Sequence, residues 1–171
     1  MRVFRYTLLS LCVWLSVAAG EAAESAAGDR EFQLKTAYLF HFAELTRWPE
    51  ARPIAICLRG ASPLQKFLPV LEGQTIDGAP VHVDIETDAD IGGCSILFLA
   101  DNSRLTAEVA GQARAKHILL VGDSDGFAAA GGMVQFSLRD NKLKLVVNLG
   151  PVKSAHLTLS SKLLRMAELI E

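Results

Sequence analysis

From Glu31 to Thr46 the chain has neither Gly nor Pro, and Leu34, Ala37, Tyr38, Phe42 and Leu45 recur at helical spacing. Leu39 and Phe40 fall off that stripe, so the helix is apolar almost all round: it is either deeply buried or docks onto something. Trp48-Pro49 ends it, because the residue before proline avoids the α conformation. Ile54 to Leu58 is a short β-branched run that reads as a buried strand. Ser62-Pro63 then makes a helix start, Ser as cap and Pro in the first turn, leading to Leu64, Phe67, Leu68 and Leu71. Val81, Val83 and Ile85 alternate with His82 and Asp84, as in a strand with one wet face.

Ser95 to Leu99 and Ile118 to Val121 are apolar strands, separated by a helix that Ser103 can cap and that runs to about Ala115. Two apolar strands with a helix between them make a parallel crossover. Val134, Phe136 and Leu138, then Leu143, Leu145 and Val147, alternate with polar residues around Asp140-Asn141, which tolerate positive φ; this is a tight β-hairpin. Asn148 to Leu157 connects onward, with one helical turn after Pro151. Ser160 or Ser161 caps a closing helix with Leu163, Leu164, Ala167 and Ile170 inward. The expected fold is a single three-layer α/β/α domain over residues 31–171. Its mixed, partly parallel sheet ends in the antiparallel hairpin toward one edge.

Ahead of this domain, Arg2 and Arg5 precede an apolar run from Leu8 to Ala19 and the small residues Ala18 to Ala23. That order reads as a cleavable signal peptide over residues 1–23, followed by a flexible start over 24–30. The apolar run is about a dozen residues, short of the roughly 20 that span a bilayer, so the mature protein is expected to be soluble and periplasmic. Cys12 follows bulky Leu11 inside the apolar run, which is not a lipoprotein cleavage site. The chain carries 17 basic and 19 acidic side chains, a balance that gives no reason to expect nucleic acid. Cys12 leaves with the signal, and Cys57 and Cys94 then read as one disulfide in an oxidising compartment. Two buried free thiols are the alternative.

Catalytic signatures are mostly missing. His41, His82, His117 and His156 are scattered, with no second His or Cys at ligand spacing, so no metal or other cofactor is expected. Gly92-Gly93 precedes a strand instead of following one, the wrong context for a dinucleotide. Asp101, Asp123 and Asp125 follow the two central strands, where open α/β sheets bind ligands, and make the best candidate crevice. Helix capping and turn formation explain the same acids without any function. Asp123-Ser124-Asp125-Gly126 has the start of a calcium loop but lacks the remaining ligands.

Taken together, Lys35-Thr36-Ala37-Tyr38-Leu39-Phe40-His41-Phe42 with Trp48-Pro49, the hairpin ending Val147-Asn148-Leu149, and Leu159-Ser160-Ser161-Lys162-Leu163-Leu164-Arg165 resemble the YfiR family. The likeness runs from about Glu31 to Ile170. It implies a periplasmic repressor without catalytic activity, one that binds the periplasmic sensory part of an inner-membrane diguanylate cyclase and lowers cyclic di-GMP. An outer-membrane lipoprotein is implied as a second partner that relieves repression and favours biofilm. The family's link to redox sensing through disulfides is met here by Cys57 and Cys94. Its second, later bridge has no counterpart, since no cysteine follows Cys94.

The leading expectation is therefore a non-enzymatic regulator that acts by direct binding, with Leu39, Phe40, Lys162 and Arg165 as contact residues. The oligomeric state, a homodimer included, stays open. A periplasmic small-molecule binding module using Asp101, Asp123 and Asp125 is the alternative, and a hydrolase built on the same acids comes third.

Overall fold

The computed structural model describes residues 18–85 and 90–171, with side chains from Ala26 onward. The basic start and most of the apolar run of the expected signal peptide, Cys12 included, lie outside the described residues. Helix α1 (Ala18–Leu45) takes in residues 24–30, which were expected to be irregular. Ala and Glu dominate Ala18 to Ala27, and both are strong helix formers. Strand β1 (Thr46–Arg47) follows directly, then β2 (Ile54–Arg59). Ser62 accepts a hydrogen bond from Leu64 N as a cap, but what it starts is a pair of 3-10 turns, Pro63–Lys66 and Leu68–Leu71. Pro69 has no N–H to continue a regular helix.

Strands β3 (Thr75–Ile76), β4 (Ala79–Ile85) and β5 (Ile96–Leu99) lead to a 3-10 turn, Asn102–Arg104, and helix α2 (Ala107–Ala115). Ser103 does not cap α2. Asp101 caps the turn, and Thr106 caps α2 by accepting from Val109 N at 3.1 Å. After β6 (Leu119–Gly122) comes the hairpin of β7 (Val134–Arg139) and β8 (Lys142–Asn148), with Asp140 and Asn141 at φ 53° and 55°. Helix α3 (Leu149–Ser154), strand β9 (Thr158–Leu159), helix α4 (Ser161–Leu164) and strand β10 (Ala167–Ile170) complete the chain. The expected closing helix is a single turn, capped by Ser160 as anticipated. Beyond it the chain extends and pairs in parallel with β8, Leu169 beside Val147. The sheet edge left by the hairpin offers backbone partners that outweigh the helical spacing of four residues.

Eight strands form the main sheet in the order β10-β8-β7-β6-β5-β2-β4-β3, while β1 and β9 pair separately. From β4 to β7 the neighbours are parallel, and β5-α2-β6 is the crossover read from the sequence. One face carries Ile56, Leu58, Ile96, Phe98, Leu119, Val121, Val134, Phe136, Leu145 and Val147, whose registers align them under α1. Phe42 of α1 stacks on Phe136 at 5.6 Å between ring centroids, and Phe98 and Tyr38 pack on the same ring.

The buried residues of α1 are Lys35, Thr36, Leu39, Phe42 and Ala43, a stripe turned somewhat from the one expected. Leu34, 44% exposed, and Ala37 face outward, and Leu39 is wholly buried. The sequence reading leaves Lys35, Thr36 and Leu39 off the inner face, because Lys35 and Thr36 look like surface residues and Leu39 falls outside the stripe. Thr36 satisfies its hydroxyl on Phe32 O at 2.8 Å, so burying it leaves nothing unpaired.

On the opposite face the β6–β7 connection folds Phe127 against two glycines. A Cβ placed on Gly122 would lie 2.6 Å from the Phe127 ring, and one on Gly132 would meet the same ring more closely. Both glycines are therefore required by a close approach. Gly122→Ala should lower the free energy of unfolding by about 1–3 kcal/mol, the usual range for overpacking. A denaturant melt reads this directly; an unchanged midpoint would show that Phe127 swings away at no cost.

Candidate functional site

Cys57 lies on β2 and Cys94 precedes β5; both are buried and joined by a disulfide with Cα atoms 5.8 Å apart. Arg59, two residues along β2, lies on the same sheet face and is itself 3% exposed. Its Nη2 donates to Asp84 Oδ2 at 2.8 Å and to Asp90 O at 3.2 Å, and its Nη1 donates to Leu58 O at 3.0 Å. One Asp84 carboxylate oxygen and the two sulfurs lie within 4.8 Å of one another, an arrangement that in thiol form would suit a metal ion. Bridged sulfurs are not thiolates and Asp84 is held by Arg59, so the bridged form offers no ligand set for an ion. Sequence reading missed Arg59 altogether: a single basic residue at a strand end looks solvated until the masking element, here the Asp90 segment, is in place.

The three acids expected to share a crevice are engaged separately. Asp101 accepts from the Ser103 hydroxyl and from Ser103 N at 3.0 Å, and pairs with Arg104. The Ser103 hydroxyl bond, with further help from Ser103 N and Arg104, holds the Asp101 carboxyl below the usual carboxylate range. Asp123 accepts from Lys35 Nζ at 2.6 Å. Asp125 is exposed, and its backbone oxygen accepts from Asn102 Nδ2 at 2.9 Å. Capping and pairing thus account for Asp101 and Asp123.

Lys35 is 4% exposed and fully satisfied: Glu31 and Asp123 each accept at 2.6 Å, and the Phe32 ring centroid lies 4.8 Å below the ammonium. This cluster fastens the middle of α1 to the carboxyl end of β6. Along the flank of the helix that faces α4, exposed and half-buried apolar residues line a surface groove of about 350 Å³. Its walls include Leu34, Tyr38 and Leu45 of α1 with Lys162, Leu163 and Met166 around α4. A second groove of about 860 Å³ continues past Leu34 to Leu138 and Leu143 of the hairpin. Phe40 lines a third, on the other flank of α1, with Leu71 and Gln74. Ala37 and His41 lie between the first and third grooves and border both.

Of the expected contact residues, Leu39 is in the core and presents no surface. Phe40 and Lys162 border the grooves, and Arg165, exposed, closes α4 nearby. Met166, 47% exposed, belongs with them and went unnoticed because a closing helix was expected to carry on past it.

Fold and site together define a disulfide-clipped α/β domain with a long apolar groove beside its first helix. The YfiR/HmsC-like family model matches residues 32–168, and the chain belongs to that family, known as periplasmic regulators of diguanylate cyclases and regulatory rather than catalytic. No curated protein matches. Among solved structures, a conserved domain protein from Vibrio cholerae O1 biovar El Tor is similar at 10% identity and a TM-score of 0.51, over 80% of this chain and 60% of that one. The ABC domain in complex with L-Trp from Streptococcus pneumonia is matched at 10% identity and a TM-score of 0.49, over 77% of this chain and 59% of that one. The chain thus spans about three fifths of each of these structures. The first supports the α/β fold alone. No helix among the described residues is long and apolar enough to cross a membrane.

Two outcomes follow from this geometry. Lys35→Met should destabilise the protein by about 1.5–3 kcal/mol, the range for hydrogen bonds to charged groups, because Asp123 loses its partner. Adding Asp123→Asn should recover part of that loss in a double-mutant cycle, and strict additivity would show that the pair is not coupled. Replacing Cys57 and Cys94 together by Ala opens a loop of 37 residues and should cost roughly 4 kcal/mol in the chain-entropy account. Urea melts of oxidised protein against the double variant measure it.

Proposed function

We propose that this protein is a non-enzymatic periplasmic regulator that binds the periplasmic sensory region of an inner-membrane diguanylate cyclase and keeps cyclic di-GMP low. The family supplies the class of partner; the observation that carries the reading is the outward apolar face of α1. Leu34 and Ala37 follow helical spacing yet line a groove instead of the core, joined there by the half-buried Tyr38 and with Met166 opposite. Contiguous exposed apolar surface of this kind marks an interaction site. Lys162 and Arg165 give its rim a basic end, suited to acidic groups on a partner. An N-terminal export signal brings the domain to the compartment where such a region is accessible, and an outer-membrane lipoprotein is the second partner that would compete for the regulator. The groove also has the volume of a small-molecule site, which favours a binding module as the second reading.

Leu34→Lys and Met166→Lys both alter exposed positions and should leave the melting temperature nearly unchanged. Each should raise cellular cyclic di-GMP toward the level of a gene deletion and abolish recovery of the cyclase from membranes on the tagged protein. An unchanged cyclic di-GMP level in the deletion strain would sink the cyclase reading. A metabolite that raises the melting temperature in wild type but not in Met166→Lys would move the function to ligand binding.

A further inference from the structure

Two helices on the α2 side of the molecule end in the same way, and both end on histidine. His117 follows the last residue of α2's cap and His156 that of α3's, each with φ 55°. The closing hydrogen bonds match: Ile118 N to Ala113 O at 2.8 Å, and Leu157 N to Val152 O at 3.1 Å. This left-handed position usually belongs to Gly, since any Cβ is strained there. Two side chains are therefore kept at positions where the backbone favours having none. They also meet, with ring centroids 5.7 Å apart at an interplanar angle of 65°.

The protonation pattern is fixed by geometry. His117 Nδ1 lies 2.8 Å from Ala155 O, and a carbonyl only accepts, so Nδ1 carries the hydrogen. In the neutral ring Nε2 then holds a free lone pair. A backbone carbonyl that orients one ring nitrogen and leaves the other bare is the usual support of a metal-binding histidine. His156 is exposed beside it and free to turn its ring. Arg52 approaches from the backbone side, donating to Lys116 O at 2.8 Å and His117 O at 3.2 Å. Its charge, with Lys116 and Lys153 near the rings in sequence, opposes a cation, so a site here must rest on strong imidazole coordination.

We propose that His117 and His156 form a two-imidazole site for a borderline divalent transition-metal ion, Cu²⁺ in preference to Zn²⁺, with water completing the coordination. Imidazole nitrogen suits both ions, and the general affinity order places Cu²⁺ above Zn²⁺. Trp48 provides the readout, because its Nε1 donates to His117 O at 2.9 Å and a bound Cu²⁺ quenches a neighbouring indole. Titration of the purified chain with a copper salt should give saturable quenching that excess Zn²⁺ reverses. His156→Asn, which tolerates the left-handed backbone, should abolish the saturable phase while the melting temperature stays near wild type. Electron paramagnetic resonance of the wild-type copper complex should show paired imidazole nitrogens, a result independent of any variant. Equal quenching in wild type and His156→Asn, or a copper spectrum without imidazole nitrogen, would overturn the site.

Discussion

Helix α1 has one rotation on the sheet, set where Phe42 meets Phe136 and where Lys35 meets Asp123. The two contacts differ in kind. Fully burying a Phe is worth about 1.5–3 kcal/mol and a stacked pair adds about 0.5–1.5 kcal/mol. A buried ion pair, by contrast, mostly offsets its own desolvation. Aromatic packing therefore chooses the rotation, and Glu31, Asp123 and the Phe32 ring make the burial of Lys35 tolerable. Once that rotation is set, Leu39 enters the core, Tyr38 is half-buried between core and groove, and Leu34 and Ala37 are left to line the groove. Core and groove are thus two sides of one choice.

This choice also decides what could be read from the sequence. Strands declare themselves where period-two patterning or a pure apolar run is bounded by turns, and β2, β5, β6 and the hairpin all lie where expected. In α1 the expected Tyr38, Phe42 and Leu45 do pack on the core, but Lys35, Thr36 and Leu39 were missed, because hydrophobic spacing cannot see that a buried lysine has its partner 88 residues away. The C-terminal strand was hidden for a related reason. Ala167, Glu168, Leu169 and Ile170 extend to complete a sheet edge that exists only after β8 has folded. Capping was one reading of Asp101, which does cap a turn, whereas the pairing of Asp123 with Lys35 of α1 was out of reach of the sequence.

The face of the sheet away from α1 is held by polar groups that sequence reading had no means to assign. Gln135 Oε1 accepts from Ala128 N at 3.0 Å and Asn148 donates to Ala128 O at 2.8 Å, so two strands grip both backbone groups of one residue beside Phe127. With the Phe127 ring wedged between Gly122 and Gly132, the β6–β7 connection is fixed without a helix of its own. Farther along the same face the Cys57–Cys94 bridge and Arg59 tie the Asp84 and Asp90 segments to β2. Satisfied polar groups in a low-dielectric interior specify one arrangement more sharply than apolar contacts do.

The carboxyl ends of the central strands, where an open α/β sheet ordinarily receives a ligand, are used here for structure. Lys35 reaches over the end of β6 to take Asp123, and Ser103 with Arg104 occupies Asp101 at the end of β5. Acids committed in this way to capping and pairing have their oxygens occupied by groups of the chain itself. Asp101 is held below the ordinary carboxylate range, chiefly by the Ser103 hydroxyl. The side of α1 turned away from the sheet instead lines the groove proposed above for a partner. Binding there perturbs the one element whose rotation is fixed jointly by core packing and by the Lys35 cluster. A partner seated on that face would therefore be read by the whole sheet through α1, as a regulator's docking surface requires.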